Sequence, residues 1–106
     1  MIQTISPAAG TAILDPNVEH RAKGKTIFTV APTGDLTINA VPDGLPGQIY
    51  EVRVVTVGTT SRTVTFGSGF KSTGTLATGA TTAKIFKLEF VSTGITLEEA
   101  SRTTAM

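Results

Sequence analysis

Gln48-Ile49-Tyr50-Glu51-Val52-Arg53-Val54-Val55-Thr56-Val57 is the run whose reading decides the fold class. Tyr50, Val52 and Val54 alternate with Glu51 and Arg53, the two-residue period of a strand with one face turned to a core. Thr63-Val64-Thr65-Phe66 and Lys84-Ile85-Phe86-Lys87-Leu88-Glu89-Phe90-Val91 repeat the pattern downstream. Gly58, Gly67, Gly69, Gly74, Gly79 and Gly94 punctuate these runs at turn positions.

Working outward, Thr26 to Ala31 and Leu36 to Val41 read as earlier strands and Ile95 to Ala100 as a last one. Pro32-Thr33-Gly34-Asp35 predicts a turn in which Gly34 is free to take positive φ, and Pro42 to Gly47 a stiffer connection. The glycine-, threonine- and alanine-rich stretch 69–83 predicts a long loop or ragged hairpin anchored by Phe70 and Leu76. Helix signals are nearly absent, because Leu97 to Arg102 is too short to be stable alone. No convincing internal repeat is visible. Closely spaced strands of this kind predict an all-β domain, a small antiparallel β-sandwich or jelly-roll-like barrel.

Alternation assigns the core to Phe28, Val30, Leu36, Ile38, Ala40, Tyr50, Val52, Val54, Val64, Phe66, Phe86, Leu88, Phe90, Ile95 and Leu97. The opposite face mixes Thr29, Thr37, Asn39, Glu51, Arg53, Lys87 and Glu89 with Ile27, Ile49, Val55, Val57, Ile85 and Val91. That face is too apolar to be wholly solvated, so it predicts a sandwich seam or a subunit contact.

Residues 1–25 read differently from the β-sandwich domain expected over 26–106. Pro7, Gly10 and Pro16 break periodicity and forbid a continuous helix, leaving an extended N-terminal arm. Its apolar residues Ile2, Ile5, Ile13, Leu14 and Val18 have little use in a solvated tail. They either cover the base of this chain's own core or dock on a neighbour as an added strand at a sheet edge. The second reading makes these residues the expected interface with a neighbouring subunit.

The chain has 106 residues, a formal net charge of +1, 16% charged residues and no cysteine. This length supports one domain with little surplus stability, which a partner subunit most readily supplies. Lack of cysteine removes disulfides, cysteine-based zinc sites and thiol catalysis. Near-neutral charge gives no general reason to seek nucleic acid or an anionic membrane, and no run approaches the roughly 18 apolar residues of a membrane span. The first ten residues lack the basic and apolar regions of a secretory signal, so synthesis and assembly in a cytoplasm are expected.

Candidate chemistry is sparse. Gly67-Ser68-Gly69-Phe70-Lys71-Ser72-Thr73 superficially resembles a phosphate-binding loop, but Phe70 stands where glycine is needed and no helix is expected after it. The bland reading is a turn with Phe70 packed beneath it. His20, in His20-Arg21-Ala22-Lys23-Gly24-Lys25, has no second ligand and no orienting partner in view. Glu98 and Glu99 are adjacent, so on a strand they face opposite sides and cannot act as a carboxylate pair. Glu51 with Arg53 and Lys87 with Glu89 predict cross-strand charge pairing. No catalytic, cofactor or metal site is therefore expected, and the chain reads as a non-enzyme.

Gly47 to Val54, Thr63 to Lys71 and Phe86 to Gly94 together resemble β-domains found in tail fibres, head fibres and capsid decoration proteins of tailed bacteriophages. The shared pattern is glycine, an aromatic-led strand, a Thr-Val-Thr-Phe strand, a Gly-Phe loop and a last strand pair closed by a glycine turn. It covers about half the chain, Gly47 to Arg102. Relatives often carry an aromatic after the final glycine turn, where this chain has Ile95-Thr96-Leu97. The resemblance implies a virion structural role with no catalytic residues. One domain with a short arm favours a free-standing decoration, or cement, protein on the outer capsid surface over a domain appended to a shaft. Its expected partners are the major capsid protein and its own copies in a homotrimer, which would convert weak contacts into durable attachment. The alternatives are an adhesion module for host glycan and a tail or connector component.

Overall fold

The computed structural model describes residues 2–5, 8–15, 25–42, 46–58, 60–72, 74–79 and 84–103. The chain forms strands β1 (Ile2–Thr4), β2 (Gly10–Leu14), β3 (Lys25–Val30), β4 (Leu36–Ala40), β5 (Ile49–Val55), β6 (Thr63–Phe66), β7 (Phe70–Lys71), β8 (Leu76–Ala77), β9 (Ile85–Ser92) and β10 (Leu97–Thr103), and the described residues contain no helix. The all-β expectation holds. Phe70 and Leu76, expected as loop anchors, each sit in a two-residue strand.

The strands form a six-stranded sheet in the order β1-β3-β5-β9-β10-β7 and a four-stranded sheet in the order β2-β4-β6-β8. From β1 to β8 the chain alternates between the two sheets, so it winds around the core. Parallel strands need a long crossover between them, and here a strand of the opposite sheet supplies it. As a result β1–β3, β3–β5, β2–β4, β4–β6 and β10–β7 pair in parallel. Only β5–β9, β9–β10 and β6–β8 are antiparallel. Both sheets are thus mixed, which corrects the expectation of an antiparallel sandwich.

At several registered positions successive turns carry the same residue. Ile2 pairs with Ile27, Thr4 with Thr29, and Thr11 with Thr37, which pairs in turn with Thr65. In sequence, Ile2-Gln3-Thr4-Ile5-Ser6-Pro7 matches Ile27-Phe28-Thr29-Val30-Ala31-Pro32. The chain therefore contains a structural repeat of about 25 residues, which composition and strand alternation alone do not reveal.

Among the described residues, segment 1–25 contributes the first turn of this winding. Strand β1 pairs with β3 and β2 with β4, and the Ile5 N–H donates to Thr29 O at 2.8 Å. Ile5, Ala12 and Leu14 join one continuous core with Phe28, Tyr50, Val54, Phe66 and Phe90. No break in packing separates the described part of an arm from a domain.

Both sheets line that core, and the alternation assigned it well. Val30, Leu36, Ile38, Val52, Val64, Phe86, Leu88 and Leu97 are buried alongside those residues. Ile95 is the exception. It follows Gly94, whose φ is 95°, in the turn before β10, and it is 73% exposed. Gly34 does not use its freedom to take positive φ; a Cβ there would lie 3.1 Å from Ala9 Cβ, so it serves the close approach of one turn to the next.

Candidate functional site

The residues expected at an interface are scattered by the fold. Leu14 is 1% and Ile5 is 4% exposed, so both stabilise this chain's own interior. Ile2 lies within β1, and Val18 lies outside the described residues, as does His20. Ile13 alone among the described members is exposed, at 54%.

Strand alternation explains the split within β2. Ala12 and Leu14 point into the core, whereas Thr11 and Ile13 point outward. The same alternation governs the backbone. Gly10 N–H donates to Asp35 O at 3.0 Å and Val41 N–H donates to Leu14 O at 3.1 Å, so even-numbered residues of β2 face β4. The N–H and C=O groups of Thr11 and Ile13 therefore point to the other side, where β2 is the outermost strand of its sheet. An open edge of this kind is a template for an extended strand, and Ile13 gives it an apolar anchor.

No protein-family model, curated protein or solved structure matches this chain. The surface must accordingly be read from its own chemistry. A few backbone hydrogen bonds worth about 1 kcal/mol each, with one half-covered isoleucine, make a weak contact that gains from being presented several times.

Other candidates resolve into structure. In the Gly67-Ser68-Gly69 turn, Gly67 N–H donates to Ile38 O at 2.8 Å, Ser68 N–H to Asn39 Oδ1 at 2.9 Å and Phe70 N–H to Gly67 O at 3.2 Å. Those donors bind the protein itself, and a strand follows, so the loop is no phosphate cradle. Phe70 packs as expected, with ring centroids 5.2 Å from Phe66 and 5.1 Å from Phe90.

Glu98 is exposed while the Glu99 side chain is 4% exposed, on the opposite face. Arg102 grips Glu99 through two nitrogens at 3.1 and 2.9 Å and also donates to the carbonyls of Gly74 and Thr75, both at 3.1 Å. This clamp ties β10 to the loop before β8. Sequence spacing concealed it, because a register irregularity between Glu99 and Ser101 brings residues three apart onto one face.

In the ladder Glu51 lies directly opposite Glu89 and Arg53 opposite Lys87. One ion pair on this face runs along β5, with Arg53 Nη2 3.3 Å from Glu51 Oε2.

All the aromatic rings face inward. Phe28, Phe66, Phe86, Phe90 and Tyr50 are buried, and Phe70 packs against them.

Proposed function

We infer that this protein is a virion structural component, a capsid decoration protein that mounts on the outer surface of a phage shell and ties neighbouring major capsid subunits together. The observation that carries the mounting step is the edge position of β2, where Thr11 and Ile13 turn outward backbone groups that no described strand pairs with, beside an exposed isoleucine. A strand of the shell protein adds there by β-augmentation, and several copies acting together make the attachment durable. The virion setting comes from the resemblance of Gly47 to Arg102. Host-glycan adhesion is the weaker reading, because sugar recognition favours exposed aromatic faces and the rings of this chain are occupied in its core.

Ile13→Pro tests this reading. Proline removes only an outward-facing N–H, so an edge strand tolerates it while losing a donor for the added strand. Shells stripped of the protein should bind the purified wild type to saturation and bind Ile13→Pro at least about tenfold more weakly, with an unchanged melting profile for the free variant. Equal binding by the two, or failure of the wild type to bind shells, overturns the proposal. Electron microscopy of particles with and without the protein locates it on shell or tail.

A further inference from the structure

The outward face of the six-stranded sheet carries a pattern that the mounting edge does not use. Strand register sorts its side chains into rows running across β3, β5, β9 and β10. The first row contains Ile49, Val91 and Glu98, the second Ile27, Glu51, Glu89 and Ser101, the third Thr29, Arg53, Lys87 and Thr103, and the fourth Val55 and Ile85. At the centre, on β5 and β9, the order is apolar, acidic, basic, apolar. Ile49, Val55, Ile85 and Val91 are each half-buried, as are Arg53, Lys87 and Glu89, whereas Glu51 is 8% exposed and paired with Arg53 of its own strand; the four-stranded sheet lies on the far side, across the core.

Like charges directly opposite one another on an antiparallel ladder are destabilising, and here an acidic pair and a basic pair lie in adjacent rows. The order is its own complement under one operation. A two-fold axis lying in the contact plane, directed across the strands between the acidic and basic rows, reverses strand direction and leaves each strand over its counterpart. On β5 and β9 it sets acidic over basic and apolar over apolar.

We propose that a second copy of this chain packs on this face about that axis. Glu89 then lies over the partner's Lys87 and the Glu51–Arg53 pair over its reversed counterpart, while Ile49 and Val91 meet the partner's Val55 and Ile85. This is an isologous contact, in which one patch meets itself. Packed sheets cross at about 30°, so the match is best at β5 and β9 and fades toward β3 and β10. Four strands about 4.8 Å apart and seven residues long span about 19 Å by 23 Å, well below a standard interface, so the dimer is weak, with Kd in the micromolar range. The inference stands independently of the shell contact, and a trimer expected on the virion would use other surfaces.

Sedimentation equilibrium of the full chain over about 1–500 μM tests it. The wild type should pass from monomer to dimer across that range. Lys87→Glu and Glu89→Lys should each raise the dimer Kd at least about tenfold, because each places like charges over each other twice. An equimolar mixture of the two variants should restore dimerisation to within about threefold of wild type, since the altered rows are again opposite in sign. A wild type that stays monomeric, single variants that associate like wild type, or folded variants whose mixture shows no rescue would each overturn the proposal. If either charge reversal prevents folding, Lys87→Gln and Glu89→Gln take its place. Both should then weaken association, and mixing should not restore it; unchanged association overturns the proposal.

Discussion

Phe66 of the four-stranded sheet and Phe90 of the six-stranded sheet meet with ring centroids 5.3 Å apart and planes inclined at 53°. Phe70 stands edge-on to both, so three rings from three strands join the layers where the chain crosses between sheets. Phe90 is fully buried. Phe90→Ala should cost about 3–5 kcal/mol, a large share of the 5–15 kcal/mol typical of a domain. In urea denaturation the midpoint should fall sharply with little change in slope. A shift below about 1 kcal/mol would mean that the rings do not hold the layers together.

Gly69 and Gly58 both take positive φ, at 86° and 66°, but their surroundings differ. A Cβ on Gly69 would lie 2.3 Å from Ala40 O, whereas one on Gly58 meets nothing within 4 Å. Gly69→Ala should therefore cost about 2–4 kcal/mol and Gly58→Ala only about 1–2 kcal/mol. Paired thermal melts compare them directly, and equal losses would show that backbone conformation alone sets the cost.

Thr26 is fully buried on β3, and its Oγ1 has no hydrogen-bond partner. Thr26→Val keeps the shape and removes the stranded hydroxyl. It should stabilise the fold by about 1 kcal/mol and raise Tm by about 4–6 °C. A lowered Tm would reveal a partner for that hydroxyl.

Deleting residues 1–15 takes Ile5, Ala12 and Leu14 out of the core and uncovers the β3 and β4 edges. Burial of Ile5 and Leu14 alone is worth about 3–6 kcal/mol, comparable with a domain's whole margin. The shortened chain should lose cooperative unfolding in calorimetry. A sharp transition near the wild-type temperature would mean instead that the leading residues are an accessory to an independent domain.

The inward positions on β3 to β6, β9 and β10 were legible because a period of two shows which side chains share a face, from Phe28 and Val30 through Phe86, Leu88 and Phe90. The same period is silent about the direction of a neighbouring strand. Parallel pairing of Phe28 with Val52 and of Ile38 with Phe66 left no mark that alternation could detect. Ile5 and Leu14 were recognised as needing burial, but the sequence did not decide between a core and a neighbour. The matched prolines, Pro7 and Pro32, with Ile2-x-Thr4 and Ile27-x-Thr29 before them, were the available clue. Ile13 was visible as a candidate for an interface, while its edge position required knowing that β2 ends its sheet. The opposed like charges of β5 and β9 depended on register, which only the assembled ladder fixes.

Because the leading strands are stacked turns of one path, the molecule has a natural unit of growth. Duplicating the segment that carries β3 and β4 would add one strand to each layer and lengthen the body by about 4.8 Å, without redesigning either end. Such an architecture permits reach across a surface to be adjusted in discrete steps, as with the rungs of a ladder.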